Sequence, residues 1–493
     1  MANKVELEDV QGIIIKGYGK MPYAAYLLIH FNEKTKAKSW LGGLTDKVTN
    51  ATLSTKDDSV KHAINIAFTK KGLCALGLDD AVMNTFSREF DEGMVTPHRQ
   101  RILGDFGESD PQNWEWGGRH EEKEIDAVLL LYAKSKDGLD SLIQAQEKSF
   151  AEHSISLLNT LDTLTLYQNK EHFGFRDGIA QPVMKDAGRR EDKEHPANLI
   201  NPGEFIFGYK NEYDKYPFSP NVPSQMDGQD VLTPDATTEG RKDLGRNGSM
   251  LVFRQMEQDV HAFWEFMQKA VEEQKVDNTS NTMEALAAKM VGRWTNGSPL
   301  TKCPLEPNDN YKTFDNFGYA ENDFDGFKCP VGAHIRRANP RDNFLRNSSN
   351  SKEKDMEKSQ KFMKRFRILR RGRSYGEPVS PTLDPEEVLR TPKKDVNRGL
   401  HFLCFNVNIG RQFELMQQTW INNPKFAGLY EDPDPIIGYP EIMGEGATTT
   451  FTEQAQPIRK KITGIPRFVQ VKGGAYFFMP SIKALKFLSS FSS

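Results

Sequence analysis

Two short segments carry residue types that could do chemistry together. His334 stands in the run Cys329-Pro330-Val331-Gly332-Ala333-His334-Ile335-Arg336-Arg337-Ala338-Asn339-Pro340-Arg341-Asp342, after two apolar residues and before a cluster of arginines. An imidazole at a pocket wall can bind a metal through one ring nitrogen, and nearby guanidinium groups can hold carboxylates such as the two propionates of a haem. The same segment is equally compatible with a basic loop holding one incidental histidine among the chain's ten. Far upstream, Gly174-Phe175-Arg176-Asp177-Gly178 sets an acid between glycines. Asp177 can there move protons at a reacting oxygen, or it can simply close an Asx-type turn on its own backbone. Read together, the segments suggest an iron with a carboxylate poised opposite its axial ligand.

Composition restricts what else the chain can be. Its 493 residues could fill about three average domains or two large ones sharing a site. The 65 Lys and Arg nearly balance 68 Asp and Glu, so no strong field would draw the chain to nucleic acid or anionic lipid. No apolar run approaches the roughly 20 residues of a membrane helix. Cys74, Cys303, Cys329 and Cys404 are scattered without a CxxC pair, which argues against a zinc site or a disulfide framework. The first ten residues lack both a basic n-region and an apolar h-region. The expected compartment is reducing and cytoplasmic.

The elements that must position the two segments fall into two similar series. Ala25, Leu27, Ile29 and Phe31 alternate as one face of a strand, and a second strand is expected at His62 to Phe68. Ala127 to Ala133 is a continuous apolar run suited to a buried strand. Leu139, Leu142, Ile143, Gln146 and Phe150 then repeat at helical spacing, before strand-like sequence from Ile155 to Tyr167. This order is the split βαβ of a ferredoxin-like unit. After the turn signal Asn247-Gly248 the series restarts: a strand at Met250 to Arg254, Asp259 as N-cap, and a helical stripe of Val260, Phe263, Trp264, Met267 and Val271. A strand at Phe402 to Ile409, a helix from about Arg411 to Asn422 and a last strand around Phe468 to Phe478 follow. The expected fold class is α+β, two ferredoxin-like domains of antiparallel sheet with peripheral helices. The expected division is residues 1–185, a polar connection 186–246 with little core of its own, and 247–493 with a solvated insertion near 343–361.

Three separated motifs carry a family resemblance. The stretch Glu171-His172-Phe173-Gly174-Phe175-Arg176-Asp177-Gly178-Ile179-Ala180-Gln181-Pro182 resembles the GxxDG signature of the dye-decolourising (DyP-type) peroxidases. His334 with Arg336, Asn339, Pro340 and Arg341 is similar to that family's proximal haem segment, and Ile368 to Gly376 resembles the segment supplying its distal arginine. Weaker echoes run from Asp9-Val10-Gln11-Gly12 to Gln417-Gln418-Thr419-Trp420, and the length is nearest the longer, cytoplasmic members.

The resemblance implies haem b, one per chain, held mainly by the C-terminal domain with His334 as axial ligand. It implies Arg336 and Arg341 among the cofactor-binding residues, and Glu414 as the acid behind the second imidazole nitrogen; the competing reading of Glu414 is a solvent-facing residue on a helix shoulder. It lifts Leu403 and Phe405 to candidates for a dry distal wall, whereas Val407 and Ile409 on the same strand face read as core. Asp177 would shuttle the peroxide proton and Arg370 would stabilise the charge that develops as the O–O bond breaks. Arg371 competes with Arg370, since neighbours on a strand point to opposite faces.

The implied activity is reduction of hydrogen peroxide through a high-valent iron state, with oxidation of anthraquinone or azo dyes and phenols. The alternative is a haem-binding or haem-delivering, deferrochelatase-like protein, which would need His334 but have little use for Asp177 and Arg370. Bulky donors would need a redox-active surface residue, with Trp264, Trp294, Tyr319, Tyr375 and Trp420 as unranked candidates.

Overall fold

A computed structural model describes residues 4–491, apart from 55–56, 58, 121–123, 189–190, 192–193, 275–281, 346–350, 395 and 440–446. In the first half, strands β1 (Tyr23–Phe31), β2 (His62–Phe68), β3 (Ala127–Ala133) and β4 (Ile155–Asp162) pair antiparallel in the order β4-β1-β3-β2. Helix α1 (Lys34–Thr45) connects β1 to the second strand's approach, and α3 (Lys136–Glu152) connects β3 to β4, with the short α2 (Pro97–Leu103) between them in sequence. The Ser135 hydroxyl accepts the Gly138 N–H to start α3, and Leu139 and Phe150 are buried on its inner face.

The second half repeats the plan. Strands β5 (Ser249–Gln258), β6 (Leu369–Arg370), β7 (Arg373–Tyr375), β8 (Gly399–Asn406) and β9 (Val469–Met479) follow, with β6 and β7 both pairing β8, β8 pairing β5 and β5 pairing β9. Taking β6 and β7 as one interrupted strand, both halves show the same order, fourth-first-third-second. The fold is α+β with two ferredoxin-like sheets. Asp259 caps α4 (Val260–Gln274) by accepting the Ala262 N–H at 3.0 Å. Helices α5 (Met283–Val291), α6 (His334–Ala338), α7 (Lys352–Met363) and α8 (Ile482–Ser490) complete the set used below.

The two sheets are continuous. Phe478 of β9 pairs Phe68 of β2, and at the far edges Leu164 donates its N–H to the Ser374 carbonyl at 2.7 Å, so the strands wrap into a barrel. Alternation then sorts the side chains. Tyr26, Leu28, Val128, Leu130, Tyr132, Leu251, Phe253, Leu403, Phe405 and Phe477 fill the interior. Leu27, Ile29, Leu129, Leu131, Val252, Cys404 and Phe478 face outward into a core with α1, α3 and α8. β3 is apolar throughout because both of its faces are covered.

The connection 186–246 is more than a polar bridge: Ile200, Phe205, Ile206 and Tyr209 are buried in the interior cluster. The expected solvated insertion contains α7, whose Asp355, Ser359 and Met363 are buried, while residues 346–350 lie outside the described residues. Among the described residues no helix is long and apolar enough to cross a membrane.

Candidate active site

The loop 171–178 leaves the first barrel half and lies against the second. Gly174 (φ +91°) and Gly178 (φ +81°) supply left-handed turns on either side of the acid, and a Cβ on Gly174 would sit 2.8 Å from the Leu383 carbonyl oxygen. Phe173 stacks on Phe263 of α4 with centroids 4.5 Å apart. Asp177 Oδ1 accepts from Arg370 Nη1 at 2.9 Å and from the Gly178 N–H at 2.6 Å.

Arg370 comes from the edge strand β6, where its partner is Cys404 of β8. Its neighbour points the other way: Arg371 donates to the carbonyls of Ile13, Ile14 and Ile15. Strand alternation thus separates two residues the sequence left in competition. Burial alone would raise the Asp177 carboxyl, but the Arg370 cation and the Gly178 N–H hold it below the ordinary carboxylate value, so it stands ionised.

His334 opens α6 and borders the same cavity as Asp177 and Arg370, near enough for both charges to act on its imidazole. Its Nδ1 lies 2.9 Å from Asp434 Oδ2, which leaves Nε2 for the cavity. Burial would lower the imidazole, yet the Asp434 charge and hydrogen bond raise it, and reciprocally hold Asp434 down. Asp434 Oδ1 also accepts the N–H groups of Ile436 and Ile437, so this acid is locked in a turn.

Glu414 therefore does not partner His334. It is buried against Arg99 Nη1 at 2.6 Å and the Tyr476 hydroxyl at 2.7 Å, as a tie between α2, a π-wound helix (Gly410–Glu414, continued by Met416–Ile421) and β9. The surface alternative fails as well, since Glu414 is 3% exposed. Asp434 lies in Asp432-Pro433-Asp434-Pro435, a turn-forming run with no periodicity to flag it.

Three further expectations need correction. One turn of α6 carries His334 on one side and Arg336 on the other, where Arg336 binds Asp323 at 3.0 Å and the carbonyls of Cys329, Asp323 and Phe324. Arg341 pairs with Asp315, lies over the Phe317 ring at 3.9 Å and borders an adjoining polar cavity instead. Leu403 and Phe405 point into the barrel interior, and it is Leu400 and Phe402 of β8 that line the site. The strand begins at Gly399 and ends at Asn406, not at Ile409, and one step of register exchanges its faces.

The cavity has a volume of about 270 Å³, near the lower end of the roughly 300–1,000 Å³ of sites for drug-sized ligands. Phe173, Phe175, Ile335, Phe402, Met416 and Ile437 are among its apolar walls. Its basic residues are Arg176, Arg293, Arg367 and Arg370. Arg367 is the one that sequence reasoning missed most plainly: its Nη2 is buried with no hydrogen-bond partner, and burial lowers its guanidinium to about 10, which leaves it charged at neutral pH.

A flat apolar group with acidic substituents fits this donor set. One imidazole nitrogen faces the space, an unpartnered guanidinium N–H can take a carboxylate, and no group of three or more His, Cys, Asp or Glu able to hold a bare ion occurs among the described residues. With one imidazole facing the space, a macrocycle such as a porphyrin would supply the remaining ligands of an iron held here. Of the aromatic candidates for surface oxidation, Trp264, Trp294, Tyr319, Tyr375 and Trp420 are all buried.

Comparison with known proteins gives a consistent picture. Residues 9–164 match the family model described as DyP dimeric alpha+beta barrel domain. The chain is 29% identical to the multifunctional dye peroxidase DyP2 of Amycolatopsis, over 98% of this chain and 96% of that one, and 27% identical to the dye-decolorizing peroxidase AauDyP1 of Auricularia auricula-judae, over 98% and 87%. The crystal structure of a fungal DyP-type peroxidase from Auricularia auricula-judae superposes with TM-score 0.76 at 25% identity, covering 99% of this chain and all of the other.

Proposed function

The chain belongs to the DyP-type peroxidases, and from this premise we propose that it holds haem b between His334 and the Asp177–Arg370 pair. It reduces hydrogen peroxide there and oxidises organic donors, with anthraquinone or azo dyes and phenols as the proposed classes. The single observation that supports this most is the convergence of Asp177, Arg370 and His334 on one apolar cavity. Haem, when bound, supplies the redox equivalents.

The protein's own groups do the rest. His334 would offer Nε2 to the iron, while Asp434 at Nδ1 orients the ring and raises its basicity. Arg367 would hold a propionate. Asp177, ionised, can accept a proton from one oxygen of hydrogen peroxide and return it to the other, which would leave as water while bound haem supplied the electrons. Arg370 directs its guanidinium at the developing negative charge. The apolar walls exclude water from the space between them.

A haem-delivering protein would have no use for a pre-assembled Asp177–Arg370 pair. We also propose the cytoplasm as the compartment, and 1–185, 186–246 and 247–493 as the division of the chain.

The test is an optical spectrum of the haem-loaded protein before and after one equivalent of peroxide, for wild type and Asp177→Asn. The wild type should change its Soret band within the mixing time, and D177N should react about 10²–10⁴-fold more slowly with its haem content unchanged. Equal rates in the two proteins would remove Asp177 from the reaction.

A further inference from the structure

A second carboxylate stands on the cavity wall with no work yet assigned to it. Glu171 begins the loop that ends at Asp177. Its Oε1 accepts the Phe175 N–H at 2.9 Å, and its Oε2 accepts both the Phe173 N–H at 3.0 Å and the Gln258 side-chain amide at 2.7 Å. Its own N–H donates to the Phe175 carbonyl at 2.8 Å. The turn at Gly174 brings the two amides to one carboxylate, and Phe173 and Phe175 are anchored from behind on Phe263 and Trp264.

Each of these side-chain contacts is a donor aimed at a carboxylate oxygen, so the loop is built around ionised Glu171. Burial, with the like charge of Asp177, works against that form and pushes the carboxyl up to about 7. The charged groups around it are Asp177 on the same loop, the adjoining Lys170 and, across Lys170, Glu284 of α5 and Asp384. His172 turns away to the Tyr375 carbonyl.

We propose that Glu171 is the positioning residue for Asp177: its ionised carboxylate clamps the loop 171–178 through the Phe173 and Phe175 amides and Gln258, and protonation releases the clamp. The inference rests on the assignment of proton transfer to Asp177. Ionised Glu171 also places negative charge beside Asp177 and so favours proton uptake there. Clamp and charge act in the same direction.

Amide hydrogen exchange and peroxide kinetics on wild type, Glu171→Gln and Gln258→Met test it. In E171Q the Phe173 and Phe175 amides should exchange at least about tenfold faster, through local opening of the loop. In the wild type the same protection should fade as pH falls through about 7. The rate of peroxide reduction should rise with pH over that interval and level off above it, a step that E171Q should lack. Q258M removes a donor to the ionised form, so its step should move to higher pH.

A residue with only a structural role would lower the melting temperature and leave the pH profile alone. Unchanged exchange in E171Q overturns the proposal, and so does faster exchange with an unchanged pH profile. Should E171Q fail to fold, the wild-type pH series and Q258M decide the matter in the same two ways. A wild type that reduces no peroxide at any pH overturns the Asp177 assignment and this inference with it; that failure is distinguishable from loss of the clamp, because wild-type amide protection would persist.

Discussion

At the scale of single residues, the site depends on which acid stands behind which base. Asp434 is buried, ionised and bonded to His334, whereas Glu414 is buried and bonded to Arg99 and Tyr476. Asp434→Asn should therefore weaken haem binding about 10–100-fold, as expected of a lost partner behind a metal-bound histidine, measured by haem titration of the stripped protein. Glu414→Gln should leave haem affinity in place but destabilise the protein. Arg99 would keep Glu92 at 2.8 Å yet lose its buried partner, at a cost of up to about 3–5 kcal/mol in denaturant unfolding. Equal effects of the two substitutions on haem affinity would contradict the assignment.

At the scale of elements, strand β8 decides what the cavity sees, because its even and odd positions belong to different compartments. Phe402 lines the site, and Phe405 fills the barrel interior with no exposure. Phe405→Ala should cost about 3–5 kcal/mol by leaving a void, while Phe402→Ala should cost less and shift the haem spectrum. Reversal of that ranking in unfolding and absorption measurements would overturn the register. The same strand sets a pH response. Burial holds His401 neutral, down to about 3, between the Tyr375 ring at 4.5 Å and the barrel wall. A depressed histidine binds its proton only after unfolding, so its contribution is present above about 6.5 and is lost as pH falls toward 3. Relative to His401→Gln, the wild type should thus lose up to about 3 kcal/mol between pH 7 and pH 4, read from denaturant midpoints.

At the scale of the molecule, the two halves share one continuous sheet. β9, the last strand, pairs with β2 of the first half, and α8 packs on α1. Unfolding should accordingly be a single transition, with coincident curves from far-ultraviolet dichroism and tryptophan fluorescence. Two separated transitions would show that the halves are energetically independent. Saturating haem at about 100 times its dissociation constant should raise the unfolding free energy by about 2.7 kcal/mol, and its removal should return the stripped value.

The sequence by itself determined the chemistry-bearing segments and the element order. Asp177, His334 and the adjacent pair Arg370 and Arg371 sit in local motifs whose glycines, arginines and flanking apolar residues are readable in a line of text, though only the folded strand separates the two arginines. Strands such as β3 announce themselves by composition. The strands' approximate positions were legible for the same reason, since periodicity is a local property. Only the tertiary structure decided which face of β8 meets the cavity, that Arg336 turns to Asp323, that Arg367 reaches the site, and that Asp434 replaces Glu414 behind the imidazole. These depend on one-residue register and on contacts between residues as far apart as 100 positions. Neither leaves a periodic trace in the chain, because the energy that selects them comes from packing and charge pairing formed only once the barrel has closed.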